Sequence, residues 1–418
     1  MKKSFLVLAI ILCLAEIASA QSAQVGADRR ARSADQVTCE YLSYRPAKWE
    51  TEKVTEVEND FPNQGGMLSV YFRNTSDNPV HLKFWRVNKQ DESYWRMNFF
   101  IAWDRTYDED LEPGELSVIE INSPKPEFGE GKPFEFQYVG DTWRPAMKFS
   151  GELNMDAVQC SYLRVLPDMK TVEAHYRYTG AKPIQFESFA VETIPVSTVE
   201  WTTQSLAGPG TIIVRAALER PLEAGQLLVA KTQVHEDGVE QTRPVYAHRR
   251  AYADVFPIGV WNSTEKNLPT LRRLHIDTVV NNSRSTEKFF SEDAAKYGFH
   301  AMAHTGLPTD VDRVRDLKNQ PTLVCWMIQD EPDFTTPPVI MKYENEALKR
   351  YDTTKPTFIT LCRNVKFFEY AAIADIPCMD HYSVTAPSSS KWPKIYGTHL
   401  EETAWYTRDL KYASEPKG

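Results

Sequence analysis

Between residues 36 and 250 the apolar positions recur at every second residue and are interrupted by short polar turns. Leu68, Val70 and Phe72 share one face of an extended run, a turn follows at 74–79 (NTSDNP), and a second run covers 80–87. The same signals return as a run at 172–178, a turn at 179–183 (TGAKP) and a run at 184–191. Period-two runs joined by Asn, Asp, Gly and Pro turns predict antiparallel hairpins, and several at this spacing predict a β-sandwich. Two short matches suggest a duplication. Val37-Thr38-Cys39-Glu40-Tyr41-Leu42 recurs as Val158-Gln159-Cys160-Ser161-Tyr162-Leu163, and Leu111-Glu112-Pro113-Gly114-Glu115-Leu116-Ser117-Val118 recurs as Leu222-Glu223-Ala224-Gly225-Gln226-Leu227-Leu228-Val229. Matches in the same order predict a repeated unit of about 110–120 residues, the size of one domain. The expectation is two tandem sandwiches, at 36–155 and 156–248.

From residue 254 the pattern changes. Apolar runs at 255–261, 276–281, 299–304, 322–328, 356–361 and 373–382 alternate with amphipathic stretches near 265–274, 286–297, 310–318, 337–351, 364–372 and 395–413. Strict strand–helix alternation predicts a parallel sheet with right-handed crossovers. A dinucleotide fold needs a glycine-rich turn after its first strand, and Gly259-Val260-Trp261-Asn262-Ser263 offers one glycine. A barrel collects polar groups at the C-terminal strand ends, where active sites sit. Those ends read Trp261-Asn262, Asn281-Asn282, His304, Asp330-Glu331, Arg363-Asn364 and Asp380-His381-Tyr382. The barrel fits better. Residues 254–418 hold six βα units, whereas a full eightfold barrel takes about 250 residues. The expected fold is therefore two all-β sandwiches followed by an incomplete (β/α)8 TIM barrel, whose natural chain continues.

Composition narrows the function. Of 418 residues, 42% are hydrophobic and 25% charged, and the net charge is -9. That is ordinary globular composition, and an acidic balance argues against a nucleic-acid partner. Lys2 and Lys3, the apolar run 5–15 and Ala18-Ser19-Ala20 form a signal peptide over 1–20, cleaved after Ala20, so the protein is expected to be secreted or periplasmic. Residues 21–35 are small and charged and read as a disordered leader. No stretch is long and apolar enough to span a bilayer. Cys39, Cys160, Cys325, Cys362 and Cys378 remain after cleavage, an odd count that points to buried thiols.

The densest chemistry lies at Trp326-Met327-Ile328-Gln329-Asp330-Glu331-Pro332-Asp333. Three carboxylates follow the fourth apolar strand. Crowded acids raise one another's pKa, and partial burial beside Trp326 would add desolvation in the same direction. That keeps a carboxyl protonated near neutrality, ready to act as a general acid. The competing reading is a solvated loop in which Asp330 or Asp333 caps the next helix.

These residues resemble the retaining (β/α)8 glycoside hydrolase clan, whose acid/base glutamate ends strand four, commonly within Asn-Glu-Pro. Here Asp330-Glu331-Pro332 takes that place, and the resemblance covers residues 254–382. It implies that Glu331 is the general acid/base and that Asp330 occupies the asparagine position that touches the sugar. A carboxylate there accepts but does not donate hydrogen bonds. His381 and Tyr382 resemble the His/Tyr position lining the sugar subsite, with Trp261 as a stacking face and Asn281, His304 and Asp333 as further substrate contacts. The clan's nucleophile glutamate ends strand seven, which is missing from this chain. The implied activity is retaining hydrolysis of an oligo- or polysaccharide. The alternative is a non-catalytic carbohydrate- or surface-binding protein that uses the barrel as a scaffold.

No cofactor or metal is expected. His300 and His304 form an H-x-x-x-H spacing, but on a strand residues four apart are roughly 13 Å from each other, too far to share one ion. Trp201 and the other tryptophans of the first half read as sandwich packing in preference to a sugar platform. The oligomeric state is left open.

Overall fold

The computed structural model describes residues 37–47, 66–88, 90–91, 100–103, 110–123, 129–140, 145–253, 257–281, 288–305, 311–362, 366–381 and 401–417. The expected signal peptide and leader, and Tyr382, lie outside the described residues.

In the first half, one antiparallel sheet runs Val37–Pro46, Gly66–Asn74, Leu116–Ser123, Phe100–Trp103, and a second contains Val80–Val87, Pro133–Gly140 and Pro145–Glu152. Leu68, Val70 and Phe72 meet Ile119, Ile121 and Phe136 in one buried cluster, with none of these side chains exposed. The next unit repeats the arrangement. Its first sheet runs Val158–Val165, Thr171–Tyr178, Gly210–Leu218, Val196–Trp201, and its second carries Ile184–Val191, Leu227–Glu236 and Arg243–Arg250. Tyr176, Phe186, Ile212 and Val214 anchor that core. Each such side chain contributes about 1.5–3 kcal/mol on burial. Trp201 packs on Phe186 and Phe189, with ring centroids 6.1 and 6.5 Å away.

The two units share their strand order, and the first sequence match falls on the same place in each. Register slips between Cys39 and Tyr41 and again between Cys160 and Tyr162. Each thiol donates to the carbonyl two residues on, at 3.7 and 3.4 Å. The second match falls on different places. Leu116–Ser123 belongs to the sheet of the first strand, whereas Leu227–Glu236 lies in the opposite sheet. Both segments instead share a turn. The Glu112 N–H donates to the Glu115 carboxylate at 2.9 Å, the Glu223 N–H donates to the Gln226 amide oxygen at 3.1 Å, and Gly114 and Gly225 both take a positive φ. Similar turn chemistry, not duplication, produced that resemblance.

The second half is a six-stranded parallel sheet: β1 Gly259–Trp261, β2 Thr278–Asn281, β3 His300–His304, β4 Leu323–Met327, β5 Thr357–Leu361 and β6 Ile376–Met379. Among the described residues each strand pairs only with its sequence neighbours. A doubly wound sheet reverses its order at a switch point; this sheet has no reversal and follows the order of a barrel wall. Connecting helices are α1 Leu268–Arg273, α2 (a π-helical turn Phe289–Asp293 running into Ala294–Tyr297), α3 Val311–Leu317, α4 Pro338–Lys349 and α5 Phe367–Tyr370. The helix α6 Glu401–Ser414 packs on α5 and β6. Gly298 ends α2 in the left-handed region at φ 68°, the expected stop.

Alternation along the strands sorts the side chains. Trp326 joins Leu268, Val279, Phe290, Val314 and Leu348 between sheet and helices. Cys325 and Met327 point the other way, into a cluster with Met302 and Phe358. Contacts also link the modules. Met67 of the first unit enters the cluster of Ile328, Ile359, Phe367 and Tyr406, and Tyr71 packs with Tyr246 of the second. Beyond α6, the Glu415 carboxylate reaches Arg45 of the first unit at 3.6 Å and Arg177 of the second at 3.1 Å. Among the described residues no helix is long and apolar enough to cross a membrane.

Candidate active site

The C-terminal end of β4 continues past Met327, where the Ile328 N–H donates to the Phe358 carbonyl at 2.9 Å. The chain then bends sharply. Glu331 sits at φ 43°, ψ 47°, and Pro332–Phe334 form a single 3-10 turn. A side chain with a Cβ rarely takes that region, and a following proline disfavours helical backbone too, so the local cost is about 1–3 kcal/mol. Neighbouring contacts hold the bend in place. The Glu331 N–H donates to the Thr360 hydroxyl at 3.2 Å, and that hydroxyl donates to Asp330 Oδ1 at 2.8 Å. Asp333 accepts from the Cys362 N–H at 3.0 Å and from its thiol at 3.4 Å. Both flanking aspartates thus bond to the end of β5. Neither caps the following helix, whose N-terminus has no side-chain cap.

The Glu331 side chain projects from this bend among other acids. Burial, followed by the charges of Asp380, Asp330 and Asp333 and a hydrogen bond to the Asp380 carboxyl, pushes its pKa to about 7. The desolvating neighbour is not Trp326. That indole is fully buried on the opposite face, donating from Nε1 to Asp352 at 2.7 Å. The expectation that Trp326 shields the carboxylates is corrected by the alternation of strand faces.

The remaining candidate residues divide into three groups. Asp330, His304 and His381 lie near Glu331. Burial holds the His304 imidazole below its usual pKa, Arg313 pushes further down, and Asp330 opposes them. Burial also lowers His381, against the pull of Asp380, and its ring meets Tyr406 edge-on at 4.6 Å. Asp333, expected to touch substrate, is 4% exposed and has both oxygens engaged by Cys362. It anchors the loop that carries Glu331. Trp261 ends β1 at 38% exposure and Asn281 ends β2, two strand ends in a row along the same rim.

Three contributing residues were not singled out from the sequence. Asp380 supplies the hydrogen-bonding partner of Glu331, Thr360 links the Glu331 backbone to Asp330, and Cys362 holds Asp333. Asp380 was visible only as one polar residue at the end of the sixth strand, Cys362 only as one of five thiols expected to be buried, and Thr360 carried no signal. The Asp380 N–H is fixed to the Leu361 carbonyl at 2.7 Å, which sets its height at the rim.

The chain matches no protein-family model. No curated protein matches it significantly. Among solved structures it is similar to a β-glucuronidase of Parabacteroides merdae at 10% identity and TM-score 0.26, covering 84% of this chain and 57% of that one. It is similar to a β-D-glucuronidase of Dictyoglomus thermophilum at 13% identity and TM-score 0.29, covering 92% and 82%. It is also similar to an exo-chitosanase of Amycolatopsis orientalis at 13% identity and TM-score 0.21, covering 71% and 45%. The chain thus spans just over half the length of the first of these. At such scores the fold rests on the chain's own strand order.

Proposed function

We propose that this chain belongs to a glycoside hydrolase-like protein in which Glu331 protonates the leaving glycosidic oxygen and then activates water. The observation that carries this reading is a carboxyl with a pKa near 7 on the rim that follows the fourth strand of a sequentially ordered parallel sheet. At neutral pH an ordinary glutamate is ionised and has no proton to give; this one keeps it in a substantial fraction of molecules. Asp330 and His304 would contact sugar hydroxyls beside it, Asn281 and His381 would extend the subsite, and Trp261 offers a stacking face. A retaining mechanism needs a nucleophilic carboxylate about 5–5.5 Å from the acid. The nucleophile would come from a strand following β6. The segment 1–20 would direct the protein to secretion or the periplasm, where polysaccharide is met.

A second reading, a carbohydrate-binding protein without turnover, draws on the exposure of Trp261 at the rim. The two are separated by assaying the full-length protein on a panel of nitrophenyl α- and β-glycosides between pH 4 and 9. The hydrolase reading predicts turnover that falls as pH rises through about 7, because the protonated form of Glu331 is the active one. Saturable glycan binding with no turnover on any glycoside would favour the binding protein.

A further inference from the structure

We infer that the junction between the two sandwiches and the segment after α6 is a binding site for a small carboxylate, gripped by Arg45 and Tyr176. The inference is independent of the hydrolase reading. A cavity of about 40 Å³ lies at this junction, lined by Ser43, Arg45, Ser69 and Tyr71 of the first unit, Cys160 of the second, and Glu415. At about 10–15 Å³ for each water-sized group it has room for about three, the size of a formate or acetate ion. Two buried donors set its character. Arg45 is 8% exposed, and its Nη1 and Nη2 donate to the carbonyls of Glu415 at 2.8 Å and Ala413 at 3.3 Å. Its Nε has no hydrogen-bond partner among the described residues. The hydroxyl of fully buried Tyr176 likewise has none. Tyr176 stands directly across from Cys160 in the strand register and so on the same face of the sheet, at the cavity wall. Burial, with Cys160 and Tyr71 beside it, pushes the pKa of that hydroxyl well up, which keeps it a donor.

The charges around the cavity call for an anion. The Glu415 carboxylate is already committed: Arg177 donates to its two oxygens at 3.1 and 3.2 Å, and Arg45 Nη1 stands 3.6 Å away. Two guanidiniums thus share one carboxylate, and one positive charge is left over. The next acid, Glu120, has its own cation in Lys417 at 3.6 Å and faces His248 at 3.4 Å. A buried charge is costly unless it is paired and hydrogen-bonded. Tyrosines on the wall supply shape more than bonds, because the Tyr71 hydroxyl is engaged by His248 at 2.8 Å and that of Tyr41 donates to Asp156 at 2.7 Å. The groups left to meet a ligand are the Arg45 Nε–H, the Tyr176 O–H and the hydroxyls of Ser43 and Ser69, all able to donate. One carboxylate supplies both the negative charge and the acceptors that this set lacks. Bound there, it fastens both sandwiches to the segment after α6.

The test titrates carbon-13 formate and acetate into the full chain at constant ionic strength and follows the bound ion by NMR. Saturable one-to-one binding is expected. Tyr176→Phe should weaken it about tenfold or more, because a hydrogen bond to a charged group is lost. The same variant removes a hydroxyl that has no protein partner, so without formate it should unfold at the same temperature as the parent or higher. Ser69→Leu fills the cavity while leaving Arg45 in place, and should abolish binding. Tyr176→Phe decides the matter by itself if Ser69→Leu does not fold. Binding unchanged in Tyr176→Phe, or no saturable binding of either ion up to about 100 mM, would overturn the inference. So would a crystal structure grown with formate that shows water alone between Arg45 Nε and the Tyr176 hydroxyl.

Discussion

Glu331→Gln is expected to lower glycoside turnover by about 10²–10⁴-fold while making the folded protein more stable at alkaline pH. On the proposed hydrolase reading, the loss follows from removing the proton that Glu331 would deliver to the leaving oxygen. The gain follows from linkage. The Glu331 pKa is raised in the folded state from its ordinary 4.5 to about 7. The unfolded chain therefore releases this proton first, and folding stability falls as pH rises from 4.5 through 7. Glutamine cannot ionise and escapes that loss. The carboxyl is only half-buried, so solvent screens part of the effect, and about 1–2 kcal/mol is expected at pH 8. At pH 4, where both states hold the proton, the variant and the parent should unfold at nearly the same denaturant concentration. Equal stability at pH 8 would contradict the raised pKa.

The second large effect lies at the opposite end of the strands. Asp375 precedes β6 and accepts from Lys349 Nζ at 2.7 Å and from the Thr357 N–H at 2.8 Å. The side chains of Asp375 and Lys349 are only 13% and 11% exposed. Lys349 also donates to the Tyr252 hydroxyl at 2.6 Å, which joins the segment leaving the second sandwich to helix α4. Burial opposes ionisation of Asp375, but Lys349 outweighs it and holds the pKa at about 2. Asp375→Ala leaves a buried ammonium without its counter-charge and should cost about 3–5 kcal/mol by urea unfolding at pH 7. The parent protein should lose this contribution as pH falls from about 4 toward 2, and the variant should not. Replacing both partners by apolar residues of similar volume should cost far less than the single change. A loss below about 1 kcal/mol in Asp375→Ala would mean that the pair is solvated.

How far the sequence could be read depended on whether the information was local. The six parallel strands and their helices emerge from periodicity and from stops such as Gly298, because each is set by its own residues and their burial. The acidic cluster around Glu331 was legible because it directly follows an apolar strand. What escaped depends on neighbours in space. Asp380 is 49 positions from Glu331 in the numbering, and the strand order that sets β4 and β6 on either side of β5 brings its charge to bear on Glu331. Trp326 was misplaced because adjacency in sequence puts it on the far face of the strand, against Asp352. Asp333 was read as a substrate contact, yet the 3-10 turn swings it inward onto Cys362. The Leu-Glu-x-Gly match misled for a related reason: a turn's hydrogen bonds are local and recur wherever a chain must reverse, whatever its place in the fold.

The most direct test of the account varies the leaving group. Wild-type protein and Glu331→Gln would be compared on two aryl glycosides of the same sugar, one releasing a strongly acidic phenol and the other a weakly acidic one. The comparison is by kcat/KM, which reports the bond-breaking step alone. A strongly acidic phenol departs without protonation, so a variant lacking the acid should match the parent closely on that bond, even where kcat falls for want of the base. The weakly acidic phenol needs the proton, and there the loss should approach the full 10²–10⁴-fold. Equal losses on both substrates would show that Glu331 does not deliver a proton to the leaving oxygen.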